Sequence, residues 1–463
     1  MSTAIPDPVG PPLHVGGLSD AVTAAPVPPW LTVLTGGVLV GASFLVTSLL
    51  TDHAAIRAVN AWYARLPTPV SLHRGVAAAL SAAGVVTFAA VLVSGAAGSA
   101  TPTANFAVLV VWVGWWAGYA MSTYLVGNTW PAVNPWRTLA RSLPTTGRRV
   151  LPRRYGAWPS VGFLLALVWI EVVSPLATVP RALVALILGY TAITLAGARR
   201  YGVVTWFRRV DPVSRVFRLY GRVAPVQFDR RIEDPPVVAG VDLRVRLPGA
   251  ALTDPTTDDP GATAFVVALL WATTFDGLVT TPAWNAFARR LLAPLAPLQL
   301  AGRPLVWLFY LLALLVGFAG FLGAYRLAVA RSRSVAGSLL APVAIGRRFA
   351  PALLPIAAGY HLAHFLGYFL TLSPALAAAL ADPFGGGTVQ VAVLPAWFGT
   401  LQVGVVVAGH LLAVWVAHAL AMDLFPGVLR PIRSQYPLVG VMIGYTMTSA
   451  WIVGQPTVTP AFL

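Results

Sequence analysis

The 463-residue chain contains neither cysteine nor lysine. Without cysteine there is no disulfide, no thiolate-bound metal, no iron–sulfur cluster, no covalently attached c-type haem and no thiol nucleophile. Charge is scarce too. Only 10% of residues are charged and 57% are hydrophobic, against about 25% charged in a soluble globular domain, so the composition points to a membrane protein. All 31 basic residues are arginine, which, beside abundant Ala, Val, Gly and Pro, reads as a GC-rich coding bias. An internal repeat and the phosphate-loop, dinucleotide-binding and nucleophile-elbow motifs are also missing.

What is present is a series of long apolar runs. Crossing a bilayer core of about 30 Å takes about 20 apolar residues. Ten stretches meet that need: 31–50, 76–97, 106–126, 158–176, 181–198, 262–281, 304–325, 350–371, 398–421 and 437–454. The fourth and fifth are short and separated by SPLATVP, as in a tight helical hairpin or a broken pair. Arginine placement tests the count, because short cytoplasmic loops carry the excess of basic residues. With the amino terminus outside, 27 arginines fall on one side and only Arg181, Arg289, Arg290 and Arg303 on the other. The expected fold is therefore an all-α integral membrane protein of about ten transmembrane helices in the cell membrane, both termini outside.

This topology divides the chain into five parts. Residues 1–30 form a Pro-rich external tail with no basic start, hence no signal peptide. Residues 31–198 hold the first five spans, 262–454 the last five, and 455–463 a second external tail. Between the halves lies an Arg-rich cytoplasmic insert at 199–261, opening with RRYGVVTWFRRVDPVSRVFRLYGRV, which suits a helix in the lipid interface. Its arginines suit anionic lipid headgroups better than nucleic acid. Within it VDLRVRL alternates with period two, as a strand of a small hairpin does. The bilayer is the expected partner, with room for a partner subunit or a second copy of the chain.

Ionisable residues within membrane spans are functional candidates by default. Here they are Glu171 in VWIEVV, Asp276 in ATTFDGL, His361 and His364 in GYHLAHF, and His410 and His418 in AGHLLAVWVAHAL; Asp423 sits at an inner span end. At about 1.5 Å rise per residue, all but His418 fall from the midplane outward. His361 and His364 share one helix face. Imidazoles with a carboxylate are what zinc, iron or copper accept, so His361, His364 and His410 form a candidate metal set. Asp276 or Glu171 then serves as fourth ligand or base. Tyr360, Tyr368 and Tyr445 are candidate donors to a bound oxyanion. Each residue also has a plain structural alternative: a histidine bonded to a carbonyl, a carboxylate partnered by Arg, Trp or His, and, for WVGWWAGY at 112–119, rings packed against lipid or core. GNTWPAVNPWR at 127–137 reads as an interfacial or re-entrant turn, and DPFGGG at 382–387 as an external turn able to act as a lid.

Taken in order, GNTWPAVNPWRTL, ATTFDGL, GYHLAHF, DPFGGG and AGHLLAVWVAHAL make residues 105–455 resemble a family of multi-pass membrane proteins of actinobacteria and haloarchaea known as fenitrothion hydrolase-like. The resemblance implies hydrolysis of an organophosphorus ester. It assigns no residue roles; those come from depth and chemistry. Three functions remain open on the sequence. The first is a metal-dependent membrane hydrolase acting on a lipophilic ester. The second is a haem-b electron carrier with His361 and His410 as axial ligands. The third is a proton-coupled transporter using a buried His/Asp/Glu relay.

Overall fold

A computed structural model describes residues 29–68, 70–144, 149–233, 237–255, 259–294, 303–385 and 390–463. Most of the expected tail at 1–30 and the end of the DPFGGG turn lie outside the described residues. Helices follow the apolar runs: α1 (Pro29–Ser48), α2 (His53–Ala61), α3 (Val70–Ala97), α4 (Phe106–Leu125), α5 (Trp158–Val173), α6 (Pro180–Tyr201), α7 (Val203–Arg209), α8 (Pro212–Tyr220), α9 (Ala262–Val279), α10 (Pro282–Leu292), α11 (Arg303–Val335), α12 (Leu354–Ala381), α13 (Phe398–Leu424) and α14 (Leu429–Val453). Among the described residues, the one sheet has three antiparallel strands, β1 (Tyr63–Thr68), β2 (Val226–Glu233) and β3 (Val237–Arg246), in the order β1-β3-β2. Apart from this small sheet the architecture is helical, that of a multi-pass membrane protein.

Eight of these helices, α3, α4, α6, α9, α11, α12, α13 and α14, are long and apolar enough to cross a bilayer. All ten expected stretches coincide with helices, but two of them fall short of that test. α5 has 16 residues, about 24 Å at ~1.5 Å per residue, less than the ~30 Å core. α1 turns through 113° into α2, because Asp52 caps α2 by accepting from the backbone N–H groups of Ala54 at 2.8 Å and Ala55 at 3.0 Å.

The insert departs from a single interfacial helix. Gly202, at φ +87°, and Pro212 split it into α7 and α8. VDLRVRL forms the strand its alternation predicts, pairing with β1 from before α3 as well as with β2.

Two packing features position the functional site. α9 is buried almost all round and packs on α5, α11, α12 and α14, as expected of a helix that is apolar on every side. α12 and α13 touch backbone to backbone: a Cβ on Gly359 would lie 3.1 Å from Gly409 Cα, and one on Gly409 only 2.6 Å from the Pro355 carbonyl. α4 is irregular. Its residues Leu109–Tyr119 adopt the wider π-helical winding, rare and concentrated at functional sites.

Candidate functional site

The π-helical stretch forms one wall of a cavity of about 450 Å³. WVGWWAGY, readable from sequence as packing or lipid-facing rings, supplies Trp112, Trp115, Trp116 and Tyr119 to it. The segment that reads as an interfacial turn adds Trp130 and Trp136, on two short helices, Trp130–Val133 and Pro135–Ser142. Asn134 starts the second of these by accepting from Arg137 N–H at 3.0 Å. The remaining lining is aliphatic and aromatic, from α3, α5, α6, α8 and α9, with Phe365 from α12.

Two carboxylates, Glu171 on α5 and Asp276 on α9, interrupt this apolar lining. Asp276 meets a histidine: its Oδ2 lies 3.4 Å from His364 Nε2, both side chains about 85% shielded from solvent. The His364 ring stacks parallel on Tyr360 and stands edge-on to Phe365. Tyr360 holds its hydroxyl against Gly277, where an added Cβ would come within 2.2 Å; glycine beside Asp276 thus lets α12 close onto α9. Glu171 lies within electrostatic reach of Tyr368.

His361 sits one ring behind the cavity wall, boxed by Trp116, Tyr124, Tyr220 and Phe365. Its Nδ1 shares a 3.0 Å hydrogen bond with Tyr124 Oη, while its buried Nε2 has no hydrogen-bond partner. The hydroxyls of Tyr360 and Tyr368 are likewise buried without one. Tyr445 is not available to an oxyanion, since its hydroxyl donates to the Phe321 carbonyl at 2.8 Å.

His410 stands apart from this group. Its Nδ1–H donates to Val406 O, one turn back on its own helix, at 2.7 Å. Among the described residues no three of His, Asp and Glu converge in an arrangement that could hold a metal ion, so His361, His364 and His410 are not gathered as one ligand set. A haem between His361 and His410 does not fit either. A porphyrin and two imidazoles need the helices held apart, whereas α12 and α13 are in backbone contact at Gly359 and Gly409, beside both histidines.

His418 and Asp423 have structural partners. His418 Nε2–H donates to Leu50 O at 2.8 Å, and its Nδ1 lies 3.2 Å from Gln435 Nε2. Asp423 pairs with Arg348. In the insert, Asp211 caps α8 and accepts from the Tyr190 hydroxyl; burial raises its pKa above the usual carboxylate value. Burial, then the neighbouring Arg218, lowers Arg215 to about 10, and burial, then Arg208, lowers Arg218 to about 10. Both stay charged at neutral pH and cap carbonyls at the end of α7.

Comparison with protein-family models, curated proteins and solved structures gives no match. The functional reading rests on this geometry. Sequence reasoning named the acid and imidazole groups but missed the aromatic cavity; the tryptophan density of 112–136 was the available signal.

Proposed function

We propose that the protein takes a lipophilic molecule into the aromatic cavity and acts on it through the Asp276–His364 pair, most simply as a membrane hydrolase. One observation carries the reading: Asp276 is both on the cavity wall and 3.4 Å from His364. A carboxylate so placed is a general base with a second group to orient it and share its proton. Asp276 takes a proton from water, the resulting hydroxide oxygen bonds to the electrophilic carbon or phosphorus, the ester bond breaks, and the leaving alcohol recovers the proton. Organophosphorus esters, the class implied by the resemblance above, suit such a pocket. The test is turnover of a nitrophenyl ester series by purified protein in nanodiscs. Hydrolysis that persists at full rate in both Asp276→Asn and His364→Gln removes the proposal.

A metal-assisted form of the same reaction is favoured by one observation, the buried Nε2 of His361 without a partner one helical turn from His364. The ion would need His361, His364 and Asp276 to draw together, since among the described residues no three such groups stand close enough to hold a metal, and it would supply a Lewis acid beside the cavity. Elemental analysis decides this: about one zinc, iron or copper per chain, lost in His361→Ala, supports it, and metal-free protein that still turns over ester excludes it.

The full topology belongs to the same proposal: ten spans including α1 and α5, both termini outside, in the cell membrane, with the insert's arginines facing anionic headgroups. Two sets of contacts support it. The sheet ties residues 63–68 to 226–246 on the Arg-rich side. At the other end, Thr459 O accepts from Asn285 at 2.6 Å and Ala461 O from Tyr310 at 3.0 Å. Because the chain has no native cysteine, Ala100→Cys and Leu339→Cys can each be labelled alone. An impermeant maleimide added to intact cells should reach position 100 and not 339; the reverse pattern inverts the topology.

A further inference from the structure

The short helix α7 ends in two arginines, and α8 sends two more back to it. Arg218 donates to the carbonyls of Phe207 at 3.5 Å and Arg208 at 2.9 Å. Arg215 donates to the same Arg208 carbonyl at 3.2 Å. Two guanidinium groups on one acceptor stand close together, and the charge of the exposed Arg208 bears on Arg218 more than any other. One cation is enough to complement a helix C-terminus; here two converge on a helix of seven residues. Arg215 is buried, and its Nε has no hydrogen-bond partner. The acids beside this group are Asp259, whose Oδ2 lies 3.9 Å from Arg215, and Asp211, which caps α8 and accepts from Tyr190. Arg208, Arg209, Arg215 and Arg218 together outnumber them. Shielding like charges from water in one place is unfavourable unless an anion joins them.

We propose that Arg208 and Arg218, backed by Arg215, hold the phosphate of an anionic lipid headgroup. This rests on the reading that the Arg-rich face meets the inner leaflet, and it names one site on that face. Guanidinium suits phosphate because its planar donors pair with two oxygens at once. Only Gly202 separates α7 from the spanning helix α6, so α7 starts where that helix leaves the apolar layer. On one side α7 packs Trp206 and Phe207 against Leu151 and Ala198. On the other it presents Val204, 70% exposed, one turn before Arg208 on the same face. Val150, 86% exposed, follows Arg149, whose backbone N–H bonds to the Arg200 carbonyl at the end of α6. Exposed valine beside exposed arginine suits a lipid, which offers chains to the first and phosphate to the second. A free phosphate ion uses the arginines alone.

Native mass spectrometry of the purified protein, titrated with phosphatidylglycerol and with phosphatidylcholine, reads the site. Phosphatidylglycerol should bind roughly tenfold or more tighter than phosphatidylcholine. In Arg208→Gln that preference should shrink at least about threefold, and in Arg208→Gln/Arg218→Gln it should vanish. Arg331→Gln, an exposed arginine elsewhere on the Arg-rich side, should keep it. Equal losses in Arg331→Gln and Arg208→Gln overturn the site and leave the headgroup-facing arrangement standing. The absence of any preference in wild-type protein overturns the inference, while labelling at positions 100 and 339 reads the topology independently. Displacement of the lipid by millimolar inorganic phosphate gives the site to the free ion and overturns the lipid assignment. Arg208 is exposed, so the single variant decides the matter if the double variant fails to fold.

Discussion

Two groups of buried or half-buried histidine stand apart in the helix bundle, and they differ in what their ring nitrogens meet. Away from the cavity His418 has both nitrogens occupied, by the Leu50 carbonyl and the Gln435 amide. Nearby His53 lies against two carbonyls, Met422 O at 2.6 Å and Gly427 O at 2.9 Å. These rings tie α1, α2, α13 and α14 together. Beside the cavity, by contrast, His364 meets a carboxylate that faces the cavity, and His361 keeps one nitrogen without a partner. A buried polar atom is almost always hydrogen-bonded in a settled structure. On the proposed function the difference separates histidines that hold the fold from histidines available for chemistry, and His410, whose Nε2 is likewise buried without a partner, shares that mark with His361. Residue type and span depth do not distinguish them; the partner atoms do.

The sharpest test of that division is at the cavity. Asp276→Asn or His364→Gln should lower ester turnover by about 10²–10⁴-fold, the range of a general acid–base contribution. Thermal unfolding in the same nanodiscs should move little, because both replacements keep size and hydrogen-bonding capacity. If melting collapses together with activity, the pair is structural and the comparison fails.

His418→Ala should do the opposite. It deletes a buried ring and leaves the Leu50 carbonyl and the Gln435 amide without it, at a cost of about 2–3 kcal/mol. Unfolding temperature should drop while turnover per folded molecule stays at the wild-type value. A loss of turnover at unchanged stability would place His418 in the catalytic group.

This contrast also shows what the sequence could and could not reveal. Apolar run length is a local property, so each run met a helix and VDLRVRL a strand, although α11, α12 and α14 extend 8 to 10 residues past the expected bounds because helix continues beyond the apolar stretch. Span count was less legible, because 16 residues of α5 and the bend after Ser48 depend on how neighbours pack. Depth along a helix placed Asp276, His361 and His364 at one level, but rotation about each helix axis is set by tertiary contacts. That is why His410 was grouped with them, although it does not converge with them on one ion and its Nδ1 bonds to Val406 on its own helix. The cavity was harder still. It arises from π-helical winding and from two short helices folding back onto α3, with Gly84 against the Val133 carbonyl, and no periodicity announces either.

His361 lies between the two groups, with one nitrogen bonded to Tyr124 and one unpartnered. Tyr124→Phe removes the partner without changing the ring's shape and should destabilise by about 1 kcal/mol. Turnover should fall less than tenfold, because the bond orients His361 and does not touch the cavity. A drop as large as that of His364→Gln would move Tyr124 into the proton pathway.

The smallest effect is expected at His53, although its ring stands against as many polar groups as that of His418. His53 is half-buried, so water can replace the ring at Met422 O and Gly427 O when it is removed. The net worth of an exposed hydrogen bond is then about 0.5–1 kcal/mol in total, against the full desolvation penalty at His418. His53→Ala should therefore lower stability by less than half as much as His418→Ala, and the ratio is the informative quantity. A ratio near one would mean that the number of polar contacts, and not burial of the partner carbonyls, governs how strongly His53 and His418 hold the bundle.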